Sequence, residues 1–468
     1  MKNLLLRILV FFISLMVSII SWVSYPPPGY NMVFLLPLTY GLLILSLPSV
    51  TRFMIKNIGL LIFNIVAFFR YVILVLVGAL SEFPIWRGIP PGPTYIESAI
   101  LIMFIEMIAV FIFIQIFSKK YYSSAKIQAH YEKVINININ SFVLRLFILL
   151  GLISILLFPE ITSKFNFVTN IDNFSEYQRS DFPLFGLFEL LFNMARILVV
   201  LSIVVYWKRK YESSGKFKYV LYSIGISFLN LLIVTGLSRF SILMSAMASL
   251  YFLTKLFNKH KKVIFSSLTT GILFSVTVVS IYKFFERDIN NSTNYNDLAW
   301  WSDTLQMYFS GPKNVAIALT MNDSVNINVI VQILTDLFSS VAGVAGILNP
   351  NLSTVGLFNL TYYGSTVSVD QVVPIIGQGV LYFGYIGSCI PSIIAIWLMM
   401  IFDKQAALTT NPYSSYAYYF IATWFGATMM VNWTILFSHF INTGVLLMII
   451  IKVNDHLILK KQKVGKFL

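Results

Sequence analysis

An arginine in a short turn between two apolar runs is the first residue of this chain suited to chemistry: Thr235-Gly236-Leu237-Ser238-Arg239-Phe240. Its guanidinium is planar and permanently charged, so it presents a fork of N–H donors that matches phosphate oxygens. The helix expected to follow adds an N-terminus whose amides also favour an anion. Arg239 is therefore read either as a pyrophosphate or substrate ligand or as a headgroup anchor. A second basic group stands in Tyr282-Lys283-Phe284-Phe285-Glu286-Arg287-Asp288. On a continuing helix Lys283 and Arg287 share one face and hold the same anion, unless Glu286 or Asp288 neutralises them as surface pairs.

Three further sites add binding groups. Residues 161–183 carry Asp172, Glu176, Arg179 and Asp181, with Phe165, Phe167, Phe174 and Tyr177 between them. The stretch Glu82-Phe83-Pro84-Ile85-Trp86-Arg87 combines an acid, a base and an aromatic surface on which a sugar can stack, although interfacial tryptophan belts have the same composition. His439, near the start of the last apolar run, is either a general base or a satisfied intramembrane histidine. Other acids, Glu97, Asp297, Asp303, Asp323, Asp336 and Asp370 among them, carry no local signature of a base. The lone Cys389 and four scattered histidines offer no thiolate cluster or HExxH motif, and there is no P-loop or dinucleotide fingerprint. No metal and no cofactor are expected.

The elements that must position these groups are membrane helices. Of 468 residues 57% are hydrophobic, 16% aromatic and only 11% charged, and mean hydropathy is +0.80. Too few charges exist to cover a soluble domain of this length. Apolar stretches near 4–23, 32–50, 58–80, 95–117, 142–160, 184–206, 218–237, 240–257, 263–282, 373–402, 414–433 and 435–451 each approach the roughly 20 residues a helix needs to cross hydrocarbon. The expected fold is all-α, a polytopic membrane protein with about twelve transmembrane helices. The expected organisation is nine spans in 1–282, an ordered extracytoplasmic loop with short helices at 283–372, and three spans with a cytoplasmic tail in 373–468.

With both termini cytoplasmic, 24 of the 33 basic residues fall on the inner segments and adjoining helix ends, as the positive-inside rule requires. The net charge of +14 is thus mostly a topology signal and not a nucleic-acid surface. Two of the nine remaining basic residues, Arg70 and Arg196, lie inside expected spans, where a charge needs a partner. Glu106 is the expected partner of Arg70, and Glu189 that of Arg196. In the long loop, Asp297–Phe309 and Val325–Ile347 read as amphipathic or re-entrant helices, while Ser310-Gly311-Pro312 and Leu348–Ser353 read as breaks. No internal repeat appears, which argues against a transporter built from repeats.

The layout, with Gly236-x-Ser238-Arg239 before a span, Tyr308-Phe309-Ser310-Gly311-Pro312 in the loop, and Ile376-Gly377-Gln378-x-x-x-Tyr382-Phe383-Gly384-Tyr385-Ile386-Gly387 entering the next span, resembles the Wzy-type oligosaccharide repeat-unit polymerases. Where the family pattern usually has an acid after the Ile-Gly pair, this chain has Gln378. The resemblance implies a glycosyltransferase of the bacterial cytoplasmic membrane that joins undecaprenyl-diphosphate-linked repeats into a capsule, exopolysaccharide or O-antigen. It implies membrane lipid, a flippase and a chain-length regulator as partners. Arg239, Arg287 and Lys283 would then hold the diphosphate, and Arg179, Arg87, Glu82, Tyr308 and His439 the rest of the substrate. A flippase or other transporter, and an O-antigen ligase-like transferase, are the rival readings.

Overall fold

The computed structural model describes residues 2–83, 88–122, 141–167, 182, 184–235, 239–271, 273, 277, 297–324, 328–344, 348, 352–364 and 371–464. In chain order the main helices are α1 (Lys2–Val23), α2 (Leu35–Ser46), α3 (Pro48–Lys56), α4 (Ile58–Leu80), α5 (Pro93–Tyr122), α6 (Ser141–Leu157), α7 (Phe185–Ser214), α8 (Lys218–Leu232), α9 (Arg239–Leu256), α10 (Asp297–Tyr308), α11 (Pro312–Ser324), α12 (Val329–Phe338), α13 (Thr354–Tyr363), α14 (Ile375–Gly387), α15 (Ile390–Leu408), α16 (Pro412–Gly426) and α17 (Trp433–Ile458). Among the described residues the only ladder joins β1 (Phe165–Phe167) to β2 (Ile233–Thr235), antiparallel, with Asn166 opposite Val234.

Six helices, α1, α4, α5, α7, α15 and α17, are long and apolar enough to cross a membrane, and α2 with α3 makes a seventh if a pair bent by 76° counts as one span. Pro48 explains the bend, since it cannot donate to the preceding turn and opens the next helix instead. Several apolar stretches that approach span length by hydropathy form shorter helices, among them α6, α8 and α16. The stretch at 373–402 is split: α14 is regular up to Gly384, which adopts φ 69°, and a new helix starts at Ile390. The chain folds back so tightly there that a Cβ on Gly379 would lie 1.9 Å from the Ser388 carbonyl oxygen.

By spatial contact the chain forms two compact units. The first comprises Met1–Ser124, Asn294–Lys404 and Trp424–Ser438, and the second Ala125–Thr293, Gln405–Thr423 and His439–Leu468. In the first unit Arg70 Nη1 lies 3.1 Å from Glu106 Oε2, with both side chains fully buried, as the sequence suggested. Arg70 sits on a π-helical turn of α4, and Glu106 also accepts the Ser392 hydroxyl of α15. Elsewhere in this unit Asp403 closes the N-terminus of α4, accepting the amides of Gly59 at 3.0 Å and Leu60 at 3.2 Å and the Tyr122 hydroxyl at 3.2 Å.

In the second unit α7 packs along both α6 and α8, and Gly215 ends α7 in the left-handed conformation. Arg196 donates to Asn193 at 2.9 Å, one turn before it on α7. The buried Lys255 ammonium holds the carbonyls of Ala406 at 2.5 Å and Thr409 at 2.7 Å, a cationic cap on the end of α15.

The described residues of 283–372 form four helices with turns between them. Helix α10 ends at Tyr308, Ser310 turns at φ 49°, and α11 begins at Pro312, where a missing N–H costs nothing. The sequence reading caught that break and missed α11, whose residues lack an apolar period. Helix α12 is capped by Asn328, whose side chain accepts the amides of Ile330 and Val331, and α13 by Ser353 at one end and Gly364 in the left-handed conformation at the other.

Candidate functional site

The first unit gathers a buried carboxylate that local sequence did not single out. Asp336, fully buried on α12, accepts the Thr354 backbone amide at 2.7 Å on Oδ1. Its Oδ2 accepts the hydroxyls of Thr354 and Tyr382, and faces the side-chain amides of Gln378 at 3.4 Å and Gln332 at 3.5 Å. Gln378 is itself fixed, because its Oε1 accepts the Trp433 amide at 2.8 Å. Helices α12 and α13, within 283–372, and α14, which follows it, thus meet at one side chain.

Burial is the larger influence on Asp336 and raises it above the ordinary carboxylate range; the donors from Thr354, Tyr382 and Gln332 oppose that rise in part. A carboxylate in this state is a better proton acceptor than a solvated one, provided a donor can be exchanged for a substrate hydroxyl. Of its donors Tyr382 is the least buried. It is half-buried and stands two residues before the Gly384 break, whereas Thr354 and Gln378 are fully buried.

No protein-family model, no curated protein and no solved structure matches this chain. The site's chemistry is therefore read from its own residues.

A second buried polar cluster lies in the same unit. Lys313 Nζ lies 2.6 Å from Asp303 Oδ1 and 3.4 Å from the Tyr362 hydroxyl, all of them buried. The Tyr362 carbonyl accepts the Ile89 amide at 2.8 Å, and Gly88, at φ 77°, packs under the Tyr362 ring where a Cβ would clash. Lys313 is thus a structural ion pair joining α10 to α11, with α13 against it.

The residues expected to bind substrate fare differently. Arg239 opens α9, as the turn suggested, but its side chain is outside the described residues, and so are Arg287, Lys283, Arg179 and Arg87. Glu82 is exposed, in a turn at φ 60° held by Phe83, which stacks on Tyr30 at 4.3 Å between ring centroids. Tyr308 is exposed at the end of α10. His439 lies within α17 with its ring centroid 6.1 Å from that of Phe420. Asp336, Thr354 and Gln332 were missed. One signal was legible: Gln332, Thr335 and Asp336 are the only polar side chains of Val329–Phe338, spaced i, i+3, i+4.

Proposed function

We propose that this protein is a glycosyltransferase that polymerises undecaprenyl-diphosphate-linked oligosaccharide repeats into a surface polysaccharide at the outer face of the bacterial cytoplasmic membrane. The observation that carries the reading is the meeting of Gln378 and Tyr382, from the glycine-based motif of the resemblance, with Asp336 from the long loop. In this proposal the chain crosses the membrane about twelve times with both termini inside, and the loop of 283–372 lies outside. Asp336 accepts the proton of the acceptor hydroxyl as Tyr382 moves aside. The hydroxyl oxygen bonds to the anomeric carbon of the growing glycan, and the bond from that carbon to the diphosphate breaks. Undecaprenyl diphosphate leaves with its charge held by Arg239, Arg287 and Lys283. Since the diphosphate is already a good leaving group, positioning and charge stabilisation supply most of the catalysis. Arg179, Arg87, Glu82, Tyr308 and His439 contact the sugars or the headgroup, and a flippase and a chain-length regulator work beside the enzyme.

Complementation of a deletion strain tests the proposal. Arg239→Ala should abolish polymer and Arg239→Lys should impair it strongly, because lysine keeps the charge and loses the bidentate fork. Asp336→Asn should cut elongation by about 10²–10⁴-fold, the usual worth of a positioned base. All three should insert at normal levels and leave single lipid-linked repeats on the outer leaflet. Repeats retained on the inner leaflet would indicate a flippase, and a full glycan ladder persisting on the lipid carrier would indicate a ligase.

A further inference from the structure

Helix α12 is built inside out. Its polar residues face the protein, with Asp336 0% and Gln332 1% exposed, whereas Ile330, Val331 and Leu334 are 69%, 49% and 50% exposed and Val329 and Phe338 also point outward. The outward residues recur as i, i+1, i+4 and i+8 from Ile330, one continuous stripe, and no charged side chain interrupts it. In water such a stripe would leave five large apolar side chains uncovered on ten residues, while the favourable polar ones are hidden.

The end of α12 is tied to a candidate membrane span. Ser340 donates to the Thr434 carbonyl at 3.0 Å and accepts from the Ser438 hydroxyl at 3.2 Å, and Phe338 packs edge-to-face on Phe437 at 6.1 Å between centroids. These partners occupy the first turns of α17, an apolar helix long enough to cross the bilayer. The Asn328 end, by contrast, follows Asp323 and Ser324, both exposed. At ten residues α12 is too short to span a bilayer.

We infer that α12 is a membrane-inserted helix whose occupant partner is bilayer lipid: Ile330, Val331, Leu334 and Phe338 lie in the acyl-chain boundary while Asp336 is held on the protein side. The inference does not depend on the proposed activity. It places a polar network of the protein at the depth where lipid headgroups meet hydrocarbon.

Site-directed spin labelling tests it on the full chain. With Cys389→Ser as background, Ile330→Cys and Leu334→Cys are each labelled in vesicles of phosphatidylcholine and phosphatidylglycerol, with Ser324→Cys as the aqueous control. Oxygen concentrates in hydrocarbon and a neutral nickel chelate in water. The expected result is frequent collision with oxygen and rare collision with nickel at 330 and 334, reversed at 324. Frequent nickel collision at 330 and 334 overturns the inference in favour of a solvent-facing helix. Protection from both reagents at 330 and 334 overturns it in favour of a covering protein, either a partner or a second copy.

Discussion

At the scale of single residues, Tyr382 offers the sharpest handle on Asp336. Its hydroxyl stabilises the charged form of the carboxylate, so the proposed base is active when deprotonated and is lost as pH falls through its raised pKa. In the proposed reaction, the acidic limb of the rate should lie above the ordinary carboxylate value of about 4. In Tyr382→Phe one stabilising donor is gone, and the limb should move to still higher pH. An unshifted limb in a variant that still elongates would remove Asp336 from the proton path. The Arg70–Glu106 pair makes a separate prediction. Removing one partner strands a buried charge, at a cost of about 3–5 kcal/mol, whereas replacing both by apolar residues often costs little. Thermal unfolding in detergent should show Arg70→Met and Glu106→Met each lowering the midpoint, and the double variant recovering most of the loss.

At the scale of elements, the glycine motif of α14 has a mechanical explanation that spacing alone did not supply. Gly379 lies against the Ser388 carbonyl and Gly384 holds a left-handed turn, so the motif reverses the chain between α14 and α15. Gly379→Ala should destabilise by about 1–3 kcal/mol through overpacking. Gly225→Ala, within α8 and with open space around it, should instead stabilise by about 0.4–1 kcal/mol. Opposite shifts of the two unfolding midpoints are the expected outcome, and an unchanged midpoint for Gly379→Ala would contradict the fold-back. What was legible at this scale follows a physical division. Helix ends set by Pro312, Ser310 and the Arg70–Glu106 pairing were visible because their causes are near in sequence or fixed by depth. Asp336 was not, because its partners Thr354, Gln378 and Tyr382 come from two later helices. The polar stripe of α12 was in plain view, but an amphipathic pattern does not say which face is inside.

At the scale of the molecule, hydropathy pointed to a membrane-embedded chain, and among the described residues six helices, or seven with the bent pair, have the length and composition of a span, while most of the stretch beyond 271 in 263–282 lies outside those residues. Windows respond to composition and not to bends, so 32–50 and 373–402 each read as one span although Pro48 and Gly384 divide them. The proposed orientation remains open to direct measurement. A reporter that works only in the cytoplasm should be active when fused after Lys210 or Lys262 and silent when fused within 290–370. Activity from the long loop would invert the topology and remove the proposed reaction from the outer face.

The Asp403 cap on α4 also sets an order of assembly during synthesis. The amides of Gly59 and Leu60 reach an acceptor 344 and 343 residues downstream, so α4 leaves the ribosome long before its cap exists. Over that interval its first turn must borrow water or headgroup oxygens. Because the first unit also draws on residues up to Ser438, the N-terminal helices wait for nearly the whole chain before they reach their final packing. The side-chain cap of α4 is thus made late in translation, and the unit around it later still.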